Sequence, residues 1–311
     1  MAQANAIETN AVRPNLLADI GLLSVALIWG LNMSVMKFAL ARVDAYVFNA
    51  TRLLISAIVL ALIVYWQKSG ITDRSPDAKP VWYQWVMICV FAMFSGFAYQ
   101  LLFLIGIDNT SAGNTALIMS AIPMWTAILA FIMLKEKIRP LAWIGLLFAL
   151  LGTMVVTLAV VPVSASGSSL KGNLIIAAAA LMWALGTVVS RPIMKSVAPL
   201  PLAFCGVAIA VPFHFLIAAD SLSEIRCFFQ DPWLAIALLY SGALSTGVAY
   251  YLWNYGIKVL GAAHTAIFQN LVPFFALFFA WLILGEIPVT LQIVGGGLIV
   301  AGVVIMRKQR D

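Results

Sequence analysis

Charge is what this sequence has least of, and where it is missing decides more than how much is missing. Asp, Glu, Lys and Arg make up 10% of the 311 residues, and no Asp or Glu lies in the central half of any long apolar run. Carboxylates at membrane depth are the usual groups for binding cations and relaying protons. Their absence argues against a site for cationic drugs and weakens carboxylate-based proton coupling. The sequence also lacks a GxxxxGK[ST] phosphate loop and an HExxH zinc pair, so it encodes no ATP motor and no zinc-protease helix. It has no GxSxG nucleophile turn and no pair of central aspartates for intramembrane proteolysis. Nothing resembles the charged ring or carbonyl filter of a channel. Enzymatic chemistry and simple ion conduction are both poorly provided for. The cysteines are Cys89, Cys205 and Cys227, an odd number without a spacing motif. The first two lie in helices and read as small hydrophobes, and the three imply neither disulfides, metal nor any cofactor.

Apolar surface is present in excess. The composition is 63% hydrophobic and the mean hydropathy is +1.03. A soluble domain of this size keeps a large polar exterior, so the solvent for most of this chain is lipid. A bilayer core of about 30 Å takes about 20 apolar residues per helix. Such runs predict ten transmembrane helices, at 16–38, 45–66, 81–105, 111–134, 140–160, 171–190, 199–219, 232–255, 262–284 and 289–306. Residues 1–15 read as a disordered cytoplasmic tail and 307–311 as a second tail. Only Gln67–Pro80 is long and polar enough to be a substantial loop. The first apolar run is too long for a cleaved signal peptide.

The net charge of +6 does not point to nucleic acid, because the Lys and Arg residues sit at helix ends and set orientation. With the N-terminus in the cytoplasm, thirteen of them fall on the cytoplasmic side and four (Lys37, Arg42, Lys171, Arg226) on the other. Both termini are therefore expected in the cytoplasm. Arg52 lies inside the second helix. Its expected role is a local pair with Asp44, the alternative being to neutralise a substrate carboxylate.

The sequence repeats itself. Shifted by 150 residues, 102–156 aligns on 252–306 without a gap, with 13 of 55 positions identical. The matches include Gly106/Gly256, Pro123/Pro273, Glu136/Glu286, Gly145/Gly295 and Gly152/Gly302, which are harder to obtain by chance than Leu or Ala pairs. Earlier the match is weaker, with Trp29 opposite Trp183. Two repeats, 16–160 and 171–306, follow, and five helices per repeat turn the second upside down relative to the first. Inverted repeats belong to carriers that work by alternating access, with the substrate site near the midplane. Pro123 and Pro273 sit mid-helix, where proline removes a backbone bond and kinks the rod; they are the expected gates, or else give static shape. The glycines of helices 5 and 10, Gly145, Gly152, Gly295, Gly296, Gly297 and Gly302, read as a packing seam.

These features together resemble the drug/metabolite transporter superfamily, in its EamA-domain branch. The resemblance rests on Ala26-Leu27-Ile28-Trp29-Gly30-Leu31-Asn32, its echo Trp183-Ala184-Leu185-Gly186, and the Pro-to-Glu blocks ending at Glu136 and Glu286. It covers nearly the whole chain and is most similar to bacterial aromatic amino-acid exporters. It implies an inner-membrane exporter of small metabolites, with amino acids as substrate and a monomer or homodimer as the working form.

An all-α protein of this kind is expected to surround a central cavity with helices 1, 3 and 4 of one repeat and 6, 8 and 9 of the other. Trp29, Asn32, Met33 and Met36 share one helical face, as do Trp183, Gly186, Thr187 and Ser190. Uncharged polar groups at membrane depth favour the protein interior. The candidate substrate-binding residues are Trp29, Asn32, Tyr99, Phe103, Trp183, Thr187, Tyr250, Asn254, Gln269 and Asn270, with Ser95, Asn114 and Thr246 as further polar lining. Deep aromatic rings suit a partly flat, apolar substrate by stacking at about 0.5–1.5 kcal/mol per pair beyond burial; plain packing is the other reading.

Overall fold

The computed structural model describes residues 2–70, 82–135, 140–158, 170–285 and 287–307. Among these every regular element is helical and no strand occurs. The rods are α1 (Ala2–Leu40), α2 (Ala45–Gly70), α3 (Trp82–Asp108), α4 (Ala112–Leu134), α5 (Pro140–Leu158), α6 (Leu170–Ile193), α7 (Pro199–Ile217), α8 (Pro232–Leu260), α9 (262–284) and α10 (Thr290–Arg307). Seven of them, α1–α4 and α6–α8, contain stretches long and apolar enough to cross a membrane. The remaining three are apolar but shorter by the same standard, at Trp143–Gly152, Val272–Leu284 and Thr290–Gly302.

Three details differ from the sequence reading. The first helix begins at Ala2, not after a disordered tail; residues 2–12 are rich in good helix formers and hold neither glycine nor proline. Several helices run past their expected ends, as α3 does to Asp108, because hydropathy marks only the part of a helix that lies in hydrocarbon. The link from α7 to α8 is itself wound, as a 3₁₀ stretch Ala219–Arg226 and one α-turn Cys227–Gln230. Residues 71–81, Glu136 and Glu286 lie outside the described residues.

Acidic side chains at helix ends have a local use. Asp44 Oδ1 accepts from the N–H groups of Tyr46 and Val47, and Asp231 Oδ1 from those of Trp233 and Leu234. Each carboxylate meets the positive end of a helix and satisfies free donors there. Ser111 does the same for the amide of Asn114.

The molecule is apolar outside, and its buried polar side chains lie on the inward faces of the helices among a largely apolar core. On α2 the buried face carries Asn49, Arg52 and Ser56 beside Leu53 and Leu60, while Ile58 and Leu62 on the opposite face are 51% and 54% exposed. Ile236 and Ile293 are likewise mostly exposed. A soluble protein does not expose such a continuous apolar belt; lipid covers it without cost. The chain is a multi-pass membrane protein.

Packing follows a pattern. α5 lies against α10, α4 against α9 and α2 against α7; α3 packs on α6 as α8 packs on α1, and α4 on α6 as α9 on α1. Exchanging each helix for the one five places along maps these contacts onto themselves. Gly152 is where α5 meets α10: a Cβ there would come within 2.5 Å of the Gly295 carbonyl oxygen. Gly297, in the same run, has no neighbour within 4 Å of such an atom among the described residues.

Wide helical turns interrupt the long rods, and besides one at the end of α9 (Ala280–Leu284) two stand in related places. Ala92–Ala98 in α3 and Tyr240–Val248 in α8 are π-helical. Shifted by the repeat offset of 150, the first falls inside the second. Two breaks are related in the same way. α4 stops at Met119 and resumes at Ile122, and α9 passes through a 3₁₀ turn, Gln269–Leu271. Pro123 and Pro273 each stand in the first turn of the helix that resumes, where a missing N–H costs least. The sequence reading has these prolines kinking a continuous rod. Instead they restart an interrupted one, because the proline ring excludes the carbonyl four residues earlier. In α9 that carbonyl, on Gln269, accepts from the Val272 N–H.

Candidate functional site

The interrupted segments converge on one cavity. It is lined by Trp29, Asn32 and Met33 of α1, Arg52 of α2, Tyr99, Gln100 and Phe103 of α3, Met119 of α4, Trp183 of α6, Ser245, Thr246 and Tyr250 of α8, and Gln269 and Val272 of α9. The cavity is narrow, with a volume of about 40 Å³. The six helices expected from the sequence all contribute, and α2 joins them. Trp29, Asn32, Tyr99, Phe103, Trp183, Tyr250 and Gln269 are brought together here. Thr187 and Asn254 are buried close by on α6 and α8 but are not part of the lining; the Asn254 Nδ2 donates to the Tyr250 carbonyl of its own helix. The side chain of Asn270 lies outside those described. Asn114 faces elsewhere, with its Oδ1 accepting from Gln292 Nε2 of α10.

The aromatic walls form a connected cluster. Trp29 and Trp183 meet edge to face with centroids 5.4 Å apart, and Trp253 lies against both, at 5.2 and 5.9 Å. Tyr99 is 4.6 Å from Trp183 and 5.6 Å from Phe103. Trp183 continues to Tyr250 at 5.7 Å. Such offset and edge-on contacts are the favoured arrangements of aromatic quadrupoles.

The wide turns account for much of the polar wiring. A π turn displaces backbone carbonyls from their regular helical partners, and side chains take them up here. Trp29 Nε1 donates to the Ser245 carbonyl at 3.0 Å, and Thr246 Oγ1 donates to the Ser241 carbonyl at 2.9 Å. The Gly96 carbonyl in α3 is 3.1 Å from His214 Nε2 of α7.

Arg52 is 2% exposed and departs from its expected role. It does not pair with Asp44, which caps its own helix. Its Nε donates to Asn49 Oδ1 at 2.9 Å, one terminal nitrogen to Thr246 Oγ1 at 2.9 Å and the other to Gln100 Oε1 at 2.6 Å. The protonation of the network follows. Asn49 Oδ1 is taken by arginine, so its Nδ2 faces His214 Nδ1, 3.0 Å away, and must donate to it. His214 Nδ1 therefore accepts, which puts the hydrogen on Nε2, donating to the Gly96 carbonyl. One chain of bonds thus ties α2, α3, α7 and α8 around the guanidinium. Sequence reasoning missed Gln100, Ser245, Met119 and Val272 as lining, and offered Arg52 there only as the alternative to a local pair. Arg52 carried a signal, being a cation eight residues into a membrane helix; the others look like ordinary helix residues until the repeats are folded together.

Among the described residues no cluster of His, Cys, Asp and Glu is suited to hold a metal ion, and the lining contains no carboxylate.

Comparison with known proteins gives a consistent picture. The uncharacterized transporters YoaV and YyaM of Bacillus subtilis are 26% and 30% identical to this chain, over 90% and 91% of it and 93% and 90% of their own lengths. A crystal structure superposes with a TM-score of 0.64 at 19% identity, covering 93% of this chain and 98% of the other, so the fold is shared. The family model described as EamA-like transporter family matches twice, over residues 16–158 and 170–308. The chain belongs to the EamA-like transporter family.

Proposed function

We propose that this membrane transporter is a carrier that exports small metabolites, aromatic and other hydrophobic amino acids above all, through the cavity between α1, α3, α4, α6, α8 and α9. The observation that carries the reading is the wall of that cavity: rings from α1, α3, α6 and α8 in edge and tilted contact beside the polar Asn32 and Gln269. Rings of this kind fit a flat apolar side chain, and uncharged dipoles fit the polar end of a zwitterion. The self-mapping packing, the twofold family match and the repeat in the sequence support ten spans in two inverted repeats that rock against each other. The Lys and Arg bias supports a bacterial inner-membrane orientation with both termini in the cytoplasm. The discontinuities at Pro123 and Pro273 support hinges, one in each repeat. A lining without carboxylates supports transport down the substrate's own gradient.

The test is growth. Cells expressing the protein should resist toxic phenylalanine and tryptophan analogues, and purified protein in liposomes should release labelled phenylalanine without an imposed proton gradient. Resistance to neutral dyes with none to these analogues would instead make the protein an exporter of neutral drugs, the rings acting as a generic apolar wall. Release only under a proton gradient would make it proton-coupled.

A further inference from the structure

Arg52 raises a question that its network does not answer. A guanidinium carries five N–H donors, and among the described residues three have acceptors, all of them uncharged: Asn49 Oδ1, Thr246 Oγ1 and Gln100 Oε1. No Asp or Glu forms an ion pair with it there; the ion pair that the described residues do contain, Arg42 with Asp231, is at the surface. The side chain is buried and bonded across to α3 and α8. A cation at membrane depth is costly and is ordinarily paired or functional. Two further lining residues hold acceptors with no partner among the described residues: Asn32 Oδ1 and Gln269 Oε1, on side chains 6% and 5% exposed. One cavity therefore presents a cation with N–H groups to spare and, elsewhere on its wall, carbonyl oxygens waiting for a donor.

We propose that Arg52 is the carboxylate-binding group of this carrier, and that Asn32 and Gln269 receive the ammonium of the same substrate. The ligand class is then the α-amino acid zwitterion with an aromatic or apolar side chain. Specificity falls first on the carboxylate, because a planar fork pairs with it bidentately and with charge assistance. The network through Asn49, Thr246 and Gln100 positions the fork. The asymmetry between the two ends is built in: a cation meets the carboxylate, while only dipoles meet the ammonium. Loss of the carboxylate from the substrate should therefore weaken binding more than loss of the amine. The proposal rests on reading this cavity as the substrate path.

The experiment uses the full chain, purified and reconstituted in liposomes loaded with labelled phenylalanine. Competition of its efflux is measured with phenylalanine, phenylpyruvate (carboxylate without amine), and phenethylamine and phenylalaninamide (amine without carboxylate). Phenylpyruvate should compete within a fewfold of phenylalanine, and the two amines about ten- to a hundredfold more weakly, the range set by loss of a charge-assisted partner. Amines competing as well as phenylalanine would overturn the assignment of Arg52 while leaving the carrier reading intact. No efflux of phenylalanine at all would overturn both. The wild-type panel stands whatever the variants do. Arg52→Lys, which keeps the charge, should keep the preference for carboxylates at reduced affinity, and Arg52→Gln should abolish the preference. If Arg52→Gln folds, as judged by its melting temperature, and still prefers phenylpyruvate over phenethylamine, Arg52 only holds helices together and the proposal fails.

Discussion

Trp29 of α1 and Trp183 of α6 meet edge to face at 5.4 Å, each taken from the corresponding position of one repeat. They are held differently. The Trp29 indole N–H is fixed on the Ser245 carbonyl, whereas Trp183 Nε1 is buried without a partner among the described residues. One ring is anchored by the backbone of α8 and the other only by its neighbours. The contact is therefore both the centre of the cavity wall and a joint between the two repeats.

From this contact we expect Trp183→Ala to abolish resistance to aromatic analogues while the protein still accumulates in the membrane. Removing so large a buried ring costs about 3–5 kcal/mol in a packed core, so stability must be followed separately by melting temperature. Trp183→Phe, which keeps a ring, should retain most transport. Equal loss in both variants at unchanged stability would show that ring stacking is not what the substrate uses.

Water reaches a transport cavity and not the lipid-facing belt. In a cysteine-free background, cysteines at Asn32 or Gln269 should react with a membrane-impermeant thiol reagent, and substrate should protect them. A cysteine at Leu147, which is 53% exposed on the outer face of α5, should not react. The reverse pattern would move the pathway elsewhere.

Glycines of one run should behave differently. Gly152→Leu drives a side chain into the Gly295 backbone, and overpacking of this kind costs about 1–3 kcal/mol or more; a lower melting temperature is expected. Gly297→Ala, with nothing among the described residues within 4 Å, should leave it unchanged. Similar shifts in both would mean that α5 and α10 do not meet along this seam.

If Pro123 and Pro273 are hinges, Pro123→Ala and Pro273→Ala should slow efflux several-fold while leaving competition by phenylalanine unaltered. A change in affinity with no change in rate would make them shape-setting residues of the site instead.

Reporter fusions at residues 75 and 311 should both read cytoplasmic. A periplasmic reading at either position would break the proposed orientation and the inversion with it.

Much of this architecture is legible from composition and repetition alone, because lipid imposes simple rules: apolar length marks a span, and paired Pro and Gly positions mark a duplicated unit. The face carrying Trp29, Asn32 and Met33 was readable for the same reason, since helical spacing fixes which side chains share a side. Other features depend on how helices distant in sequence come together. Proline at 123 and 273 shows that a helix is disturbed, but whether it bends or restarts depends on which neighbour takes the displaced carbonyl. The π turns of α3 and α8 have no composition mark that separates them from regular helix. Thr187 and Asn254 have the right chemistry and spacing, yet a small rotation of each helix sets them behind the lining. Arg52 is the clearest case. Proximity in sequence offered Asp44 as its partner, but that carboxylate faces the free N–H groups at the start of α2, and the guanidinium, about two turns further along, finds Gln100 and Thr246 on other helices. Periodicity reports the face of a single helix; only packing decides what that face meets.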